Sequence, residues 1–294
     1  MAKSIDHYIL LTDDLPAARD QYLKLGFNVL PIEKHIEFGS ANAVVIFPNS
    51  YLELLDLGNS PPVLRDAYAP RLSAGPGLCH VSLTAQSLRA EAIRLAGHGY
   101  TADPPLNARR KVVMPDGSQA ETDSSSMYNW RSERPYLSLF FSEHRKPETI
   151  FIEGHNVHEN GVLDTVRIVS ASVDPDADLT YYEASADGQA VRNGQGGFQL
   201  IGFRGDVIEV LSPEAICARY RPLIDDLKLG DLGGFPVALH YSVSDIVATR
   251  AYLSAAEVGF TEQDAHLILS RESAMGCLIV FEPANPRLIK GRDA

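Results

Sequence analysis

The sequence predicts an α+β fold built from four copies of one strand–helix–three-strand unit, written βαβββ below. Two observations predict it. A strand-like segment with a histidine recurs three times, and each copy leads into a helix-like segment that ends on glycine followed by an aromatic residue. The histidine and the glycine are 19 residues apart in all three copies, since 26 − 7, 99 − 80 and 259 − 240 are equal. The pairs are His7 and Gly26, His80 and Gly99, and His240 and Gly259.

Each of these glycines stands where a helix is expected to end. Glycine adopts the left-handed backbone conformation without a Cβ penalty, so it commonly terminates helices. The aromatic residue that follows, which is Phe27, Tyr100 or Phe260, then opens the next strand. We therefore expect all three glycines to have left-handed dihedral angles.

A weaker fourth copy lies between the second and the last. Thr165 stands where His7 stands, and the helix after it lacks the glycine–aromatic pair. The closing strands also repeat, because Glu53 in YLELL and Glu209 in VIEVL occupy the same place. A linker at residues 155–161 joins two halves of two units each. The four units are predicted over residues 3–60, 76–145, 162–214 and 235–284.

The composition excludes several classes of function. The chain has 38 acidic and 26 basic residues and a net charge of −12, which disfavours binding to nucleic acid and to anionic lipid. No CxxC pair is present, so neither a disulfide framework nor a cysteine zinc site is indicated. No apolar run approaches the roughly 20 residues that cross a bilayer, and the start lacks a signal-peptide pattern. We expect a cytoplasmic protein that handles a small molecule, with no nucleic-acid or membrane partner.

His7, His80 and Glu53 are the candidate metal ligands. Two histidines and one carboxylate suit Fe²⁺, Mn²⁺, Zn²⁺ or Ni²⁺ and leave coordination positions open for substrate. Strand alternation puts Glu53 on the same face as Tyr51 and Leu55, where a carboxylate is costly unless it is paired or bound to a cation. The alternatives are that Glu53 points to solvent and that the histidines are hydrogen-bonded core residues.

A fourth ligand is expected in the strand FFSEH. Glu143 and His144 point to opposite faces of a strand, so at most one faces inward. Metal-site chemistry accepts either. The histidines at 155 and 158 also have a metal-like spacing, but they lie in the linker, and we interpret them as structural.

Substrate contacts are predicted in two segments. His35 and Asn42, in HIEFGSAN, could orient a substrate oxygen or could serve turn chemistry. Arg109, Arg110, Trp130 and Arg131 lie at the ends of a long polar loop, the kind of loop that often carries function. Arginine binds carboxylates and phosphates bidentately, and tryptophan could stack on a planar ligand. Ordinary surface charge is the alternative interpretation of the arginines.

Several motifs together resemble those of the vicinal oxygen chelate superfamily, and most closely its glyoxalase-like branch, which groups glyoxalases, bleomycin-resistance proteins and dioxygenases. The matching segments are DHYILLTDDLPAARDQYLKLGF, HIEFGSANAVVIFPNSYLELL, and LFFSEHRKPE followed by HENG. The resemblance implies βαβββ modules paired into two cupped mixed sheets, with a divalent metal inside a cup.

Carried over to this sequence, the resemblance implies metal ligands His7, Glu53, His80 and a fourth residue, for which it favours His144. The equivalents in the second half are Thr165, Glu209, His240 and Ile279, of which two could bind a metal. The resemblance therefore places the metal site in the N-terminal pair, residues 1–155, and a degenerate copy in the C-terminal pair, residues 156–294.

The function implied is that of a metal-dependent enzyme of the glyoxalase or dioxygenase type. A divalent metal, Fe²⁺, Zn²⁺, Ni²⁺ or Mn²⁺, would hold vicinal oxygens of a small oxygenated substrate. Glu53 or His144 would transfer the proton in isomerase, lyase or dioxygenase chemistry. The alternative is a metal-free protein that binds or sequesters a small molecule. Either would be a monomer or a homodimer.

Overall fold

The computed structural model describes residues 2–129 and 139–284, and its first half contains two βαβββ modules. The first module consists of β1 (Ile5–Leu11), α1 (Leu15–Lys24), β2 (Glu33–Lys34), β3 (Ala41–Ile46) and β4 (Tyr51–Asp56). Helix α2 (Pro62–Ala74) connects it to the second module. That module consists of β5 (Gly77–Thr84), α3 (Leu88–Gly97), β6 (Leu106–Ala108), a separate hairpin of β7 (Lys111–Val113) and β8 (Gln119–Glu121), β9 (Ser124–Asn129) and β10 (Leu139–His144).

The second half repeats this order. Its first module consists of β11 (Val162–Ser172), α4 (Pro175–Ala186), β12 (Val191–Arg192), β13 (Gly197–Ile201) and β14 (Val207–Leu211). Helix α5 (Pro213–Tyr220) leads to β15 (Gly234–Val243), α6 (Ile246–Ala255), β16 (Thr261–Gln263), β17 (His266–Leu269) and β18 (Leu278–Pro283). None of the helices in the described part of the chain combines the length and apolar character that crossing a membrane requires.

Each half forms one eight-stranded mixed sheet. The strand orders are β2-β3-β4-β1-β5-β10-β9-β6 and β12-β13-β14-β11-β15-β18-β17-β16. In both sheets the two modules meet through their antiparallel first strands, and each first strand has the last strand of its own module as a parallel neighbour. The predicted α+β fold of four βαβββ modules in two sheets is confirmed.

Local sequence explains where the main helices begin. A short acidic or hydroxyl side chain caps the first turn by accepting a backbone N–H, which satisfies a donor that has no partner within the helix. The capping residues are Asp14 for α1, Ser87 for α3, Asp174 for α4 and Asp245 for α6.

The helix ends follow the predicted pattern in two copies of three. Gly26 and Gly99 have left-handed φ angles of 87° and 82° after α1 and α3. The prediction is wrong for Gly259, because Glu257 takes the left-handed conformation there, with φ 53°. Helix α6 starts six residues after His240, since 246 − 240 is 6, whereas α1 starts eight residues after its histidine, since 15 − 7 is 8. The helix therefore ends two residues earlier within the same overall spacing.

The two halves share one large hydrophobic core. One face of each sheet, together with the buried faces of α1, α3, α4 and α6, contributes to this core. A hydrogen-bonded group crosses it, in which the Tyr8 hydroxyl contacts Thr165 Oγ1 at 2.7 Å and Tyr241 Oη at 2.9 Å. Joining the halves through this face leaves the opposite face of each sheet for a separate, smaller cluster.

The opposite face of each sheet is a cup that a connecting helix partly covers. Leu64 and Tyr68 of α2 pack with Ile9 and Leu55 in the first cup. Helix α5 and the segment after it pack into the second cup over a larger apolar cluster, which includes Tyr220. The fold therefore sets two related cups on the outer sides of a shared core.

Candidate active site

Two neighbouring cavities lie in the first cup, and they enclose about 470 and 410 Å³, including space open to solvent. We call the first the polar chamber; it is lined by His7, His35, Asn42, Val44, Tyr51, Glu53, Ala108, Arg110, Thr122, Ser124, Ser126, Ser142, His144 and Ile150. We call the second the apolar chamber; it is lined by His7, Ile9, His35, Phe38, Ser40, Glu53, Leu55, Leu64, Tyr68, Leu106, Ala108, Ser126, Tyr128 and Phe140. His7, His35 and Glu53 line both chambers, so the ionisable groups lie where the two meet.

Strand alternation in β4 turns Glu53 into the cup, as predicted. Leu52 and Leu54 pack into the shared core, while Glu53 is buried on the opposite face. Its Oε1 accepts a hydrogen bond from Asn42 Nδ2 at 2.8 Å. Its Oε2 lies 3.8 Å from His7 Nε2. The solvent-facing alternative for Glu53 is therefore wrong.

His35 and Asn42 form a polar bridge beside Glu53. Asn42 Nδ2 lies 3.3 Å from His35 Nε2, and His35 Nδ1 lies 2.8 Å from Ser40 Oγ. Burial lowers the pKa of His35, although the Glu53 carboxylate, 3.7 Å away, favours the protonated form. A neutral ring with Nδ1–H donating to Ser40 accounts for all of these contacts. The two predicted substrate residues thus lie inside the cup.

A carboxylate that the sequence interpretation missed, Asp6, joins two histidines. Asp6 Oδ1 lies 2.7 Å from His7 Nδ1 and 2.9 Å from His144 Nε2, and Ser124 Oγ lies 2.8 Å from His144 Nδ1. Burial alone would raise the pKa of Asp6, but the neighbouring His144 and His7 imidazoles outweigh burial and hold the pKa well below its usual range. Because an ionised carboxylate only accepts hydrogen bonds, both histidines donate to Asp6.

The position of Asp6 follows from an irregularity in β1. Adjacent residues of a regular strand point to opposite faces, so Asp6 and His7 would be separated. The pairing of β1 with β5 shifts register between Ile5 and His7, and such a bulge re-aims side chains. The sequence does carry one signal for this residue, because Asp164 occupies the equivalent place in the third module and is also buried.

The strand β10 resolves which of its last two residues faces the cup. Glu143 Oε2 accepts a hydrogen bond from the Leu88 backbone N–H at the start of α3, at 2.8 Å. His144 lines the polar chamber on the other face. Both of its ring nitrogens are already bound by Asp6 and Ser124.

His80 does not join this group. Its ring packs edge-to-face on Tyr68 at 4.7 Å and on Tyr128 at 6.0 Å, and it lines neither chamber. The register of β5 against β1 shifts at this level too, between the partners of Tyr8 and Leu10. His80 therefore lies in an aromatic cluster beside the apolar chamber.

The predicted metal ligands His7, Glu53, His80 and His144 are consequently not assembled into one coordination sphere. Within residues 2–129 and 139–284, no group of three or more histidine, cysteine, aspartate or glutamate side chains is arranged to hold a metal ion. His7 Nε2 and Glu53 Oε2 are two potential metal-ligand atoms that face a common space, whereas zinc sites use three or more protein ligands. The donor set in this arrangement does not fit a divalent metal.

The arginines of the long loop have different environments. Arg109 is on the surface, where its Nε lies 2.5 Å from Glu37 Oε1. Its neighbour Arg110, and not Arg109, lines the polar chamber. The other two predicted contacts, Trp130 and Arg131, lie outside the described residues.

The equivalent residues of the second cup are engaged by side chains of the same half. Glu209 is fully buried and pairs with Arg219 of α5 at 2.7 Å and with Arg167 at 2.8 Å. His240 Nε2 lies 2.8 Å from the Tyr220 hydroxyl, and its Nδ1 lies 3.1 Å from a Glu282 oxygen. Arg219 and Tyr220 of α5 thus bind the glutamate and the histidine of the second cup directly.

The remaining two equivalents of metal ligands do not face the second cup. Thr165 contacts Tyr8 in the core between the halves, and Ile279 packs in the same core.

Comparisons with known proteins agree with this architecture. A family profile described as a glyoxalase-like domain matches residues 5–184, more than half of the chain. No match was found among curated protein sequences. A hypothetical protein from Staphylococcus aureus has a similar fold, with a TM-score of 0.66, 11% identity, and coverage of 97% of this chain and 100% of that one.

Two enzyme structures are also similar in fold. One is a mutant of 4-hydroxymandelate synthase from Streptomyces coelicolor, with a TM-score of 0.53, 13% identity, and coverage of 89% of this chain and 77% of the other. The second is a fusion of a xylose isomerase-like TIM barrel with 4-hydroxyphenylpyruvate dioxygenase, with a TM-score of 0.52, 14% identity, and coverage of 97% of this chain and 50% of that protein. At these identities the likeness concerns the fold alone. The paired βαβββ modules, the cupped sheets and the matched profile together establish that the chain belongs to the glyoxalase-like family of the vicinal oxygen chelate superfamily.

Proposed function

We propose that the first cup is the active site of an enzyme that transfers a proton within a small oxygenated substrate, with His7 as the base. The observation that carries the proposal is the hydrogen bond between His7 Nδ1 and Asp6. Because Asp6 accepts the Nδ1 proton, the neutral imidazole has its lone pair on Nε2. Nε2 lies on the chamber side, 3.8 Å from Glu53 Oε2. A carboxylate that orients an imidazole in this way is a recurring device of acid–base catalysis.

The ring of His7 is fixed in this orientation by its neighbours. It stacks on Tyr51 at 4.3 Å with an interplanar angle of 10°, and the edge of Phe140 contacts it at 5.0 Å. A base whose position is set by packing loses little entropy when it reacts.

In the proposed reaction, His7 Nε2 removes a proton from a carbon next to a carbonyl group. The C–H electron pair forms a C=C bond while the π pair of the carbonyl moves to its oxygen, which gives an enolate, and the imidazolium then returns the proton to the other end of the enolate system. The step is an isomerisation that needs no oxidant or reductant. The transient imidazolium would lie between the Asp6 and Glu53 carboxylates, which stabilise its charge in a partly desolvated site.

A divalent metal remains a prediction of the family resemblance, and the proton transfer proposed here uses protein side chains alone. A metal-dependent reaction and a reaction that uses side chains alone respond differently to a chelator. A metal-dependent enzyme would lose activity after dialysis against EDTA and regain it with added Fe²⁺, Zn²⁺, Ni²⁺ or Mn²⁺. The reaction proposed here would survive EDTA, and elemental analysis of protein purified without chelator would find no bound divalent metal.

Solvent deuterium incorporation tests the proposal across a range of candidate substrates. A set of small 2-oxo and hydroxy-carbonyl compounds is incubated with EDTA-dialysed protein in D₂O, and mass spectrometry detects the exchanged C–H positions. Wild type should accelerate exchange in at least one compound, and His7→Gln should lose this acceleration by a factor of about 100 or more. His98→Gln is the matched control, because His98 is exposed at the end of α3 and lines neither chamber.

Two results would contradict the proposal. Exchange that persists in His7→Gln would show that His7 is not the base. Compounds that bind to wild type without any exchange would favour the metal-free binding function.

A further inference from the structure

Arg110 is a buried cation whose charge no side chain of the described residues neutralises. Its side chain lines the polar chamber, and the residue is 6% exposed. In the described part of the chain, no carboxylate forms an ion pair with its guanidinium, and no acceptor forms a hydrogen bond with it. The adjacent Arg109, by contrast, is half-exposed and pairs with Glu37. The more buried of two neighbouring arginines is therefore the one without a counter-ion.

The backbone holds Arg110 in place independently of its side chain. Its N–H donates to Thr122 Oγ1 at 3.0 Å, and its carbonyl oxygen accepts from the Thr122 N–H at 3.0 Å. An isolated β-bridge also joins it to His35. The guanidinium is thus carried to the chamber by a fixed main chain, with its five N–H donors available.

An unpaired buried charge is unfavourable. Removing a charged group from water costs several kcal/mol unless a partner replaces the lost solvation, and burial lowers the pKa of Arg110 for this reason. Glu53 and Glu33 exert only a longer-range attraction on it. A ligand with negative charge would supply the missing partner, and arginine is suited to hold carboxylate or phosphate oxygens in pairs.

The rest of the polar chamber is compatible with such a head group. Hydroxyl groups of Ser126 and Ser142 also line its wall and could donate to further oxygens. Asn42 adds an acceptor, because its buried Oδ1 has no hydrogen-bond partner in the part of the chain that the structure describes, while its Nδ2 is held by Glu53. The chamber therefore offers an unpaired cation for an anionic group and an unpaired acceptor for a hydroxyl group.

The apolar chamber begins where the polar chamber ends. Leu55, Leu64, Phe38 and Phe140 contribute to its wall, and such apolar surface favours burial of a hydrocarbon portion of a ligand. Because the two chambers share His7 and Glu53, one ligand could occupy both with its central atoms beside these residues.

We propose that the substrates of this cup are amphipathic organic anions, whose carboxylate or phosphate group binds Arg110 and whose apolar part occupies the apolar chamber. This inference rests on the proposed function in that it assigns the substrate class to the same site. It concerns binding alone, however, so it is tested without turnover.

Matched probes that differ in charge test the inference. Isothermal titration calorimetry compares hexanoate, hexyl phosphate and the neutral hexanamide, and 3-phenylpropionate with its amide repeats the comparison with an aromatic tail. At least one anion should bind wild type tenfold or more tightly than its neutral counterpart. The preferred anion identifies the head group as carboxylate or phosphate. Arg110→Met should weaken that anion by about 10- to 100-fold, the range for a charge-assisted hydrogen bond, and should leave the affinity for the neutral probe unchanged.

Arg109→Met is the matched control, and it should bind every probe as wild type does. Ligand-free thermal unfolding provides a second measurement. Arg110→Met should be at least as stable as wild type, because it removes an unpaired buried charge, whereas a structural arginine would leave a less stable protein. Equal affinities for anions and amides, no binding of any anion, or unchanged anion binding in Arg110→Met would overturn the inference.

The outcome is separable from that of the proposed function. His7→Gln should lose deuterium exchange but keep the preference for the anion over its neutral counterpart, since Arg110 holds the head group. Anion binding without deuterium exchange would retain the Arg110 site and contradict the proton transfer. Deuterium exchange in neutral compounds that Arg110→Met leaves unchanged would retain the proton transfer and contradict the Arg110 site.

Discussion

His158, in the segment that joins the two halves, is expected to make the stability of the protein fall between pH 6.5 and pH 4. Its Nδ1 accepts the Asn28 backbone N–H at 3.0 Å, and its Nε2 donates to the Ile46 carbonyl oxygen at 3.1 Å. The ring packs against Phe27 and Phe47. These contacts suit the neutral imidazole, because a protonated Nδ1 could not accept the Asn28 N–H.

The magnitude follows from the pKa. Burial lowers the pKa of His158 from the ordinary value of 6.5 to about 4. A tenfold difference in proton affinity is worth about 1.4 kcal/mol, so the depressed pKa corresponds to about 3 kcal/mol of folding free energy. The sign is that of a group that stays neutral in the folded chain. This stability is fully present above pH 6.5, and it is lost as the unfolded chain takes up its proton first while the pH falls to about 4.

Chemical denaturation at pH 7, 6, 5 and 4, followed by circular dichroism, measures the effect. His158→Gln keeps a donor and an acceptor but does not titrate, so wild type should lose about 3 kcal/mol more than this variant between pH 7 and pH 4. His155→Gln is the control, because His155 makes its hydrogen bonds through its backbone, from its N–H to the Ile152 carbonyl oxygen and from the Asn28 side chain to its own carbonyl oxygen. Parallel pH profiles of wild type and His158→Gln would refute the reasoning.

Two further predictions concern buried charge and helix ends. Arg219→Met should destabilise the protein by about 2–4 kcal/mol at pH 7. Arg219 lowers the pKa of the buried Glu209 carboxylate more than Arg167 does, and the substitution removes this attraction. Chemical denaturation measures the loss, and an unchanged midpoint would contradict the prediction. Gly26→Ala should cost about 2–4 kcal/mol, since the new Cβ would lie 2.6 Å from the Tyr252 ring in a left-handed conformation. Gly99 has the same left-handed conformation, but a Cβ there would meet no atom within 4 Å, so Gly99→Ala should cost about 1 kcal/mol. Equal losses of stability in the two variants would refute the role of the Tyr252 contact.

The fold was predictable because its repeat is encoded in local sequence. Strand alternation, helix caps and terminal glycines act within one module, and four modules repeat the same order. The failure at Gly259 has a local cause as well, since Asp245 caps α6 at an earlier position. The 19-residue spacing between histidine and glycine fixes the combined length of strand end, turn and helix. It does not fix where the helix begins and ends within that length.

The site was predictable only where strands are regular. Glu53 and His144 face the cup because alternation continues unbroken through β4 and β10. Asp6 was missed, and His80 was placed in the metal site, because register shifts occur in β1 and β5 at both positions. A bulge changes which face a side chain takes and has no dependable signature in a single sequence.

The loop arginines illustrate the same limit. Arg109 and Arg110 lie between β6 and β7, where no strand fixes the phase of successive side chains. Composition indicated an anion-binding residue at this place, but only the tertiary contacts distinguish the arginine paired on the surface from the one in the chamber.

The contrast between the two cups argues for chemistry in the first. Each cup has a histidine on the first strand of its second module and a glutamate on the last strand of its first module, and the first cup has in addition His7, whose counterpart in the second half is Thr165. In the second cup, Tyr220 binds the Nε2 atom of His240, and the carboxylate of Glu209 is neutralised by arginines. In the first cup, no side chain of the described residues hydrogen-bonds to the Nε2 atom of His7, which faces the chambers. The second cup therefore satisfies its histidine and its glutamate with side chains of its own half. Within residues 2–129 and 139–284, neither the Nε2 atom of His7 nor the guanidinium of Arg110 has such a hydrogen-bond partner, which a ligand explains better than an incomplete core.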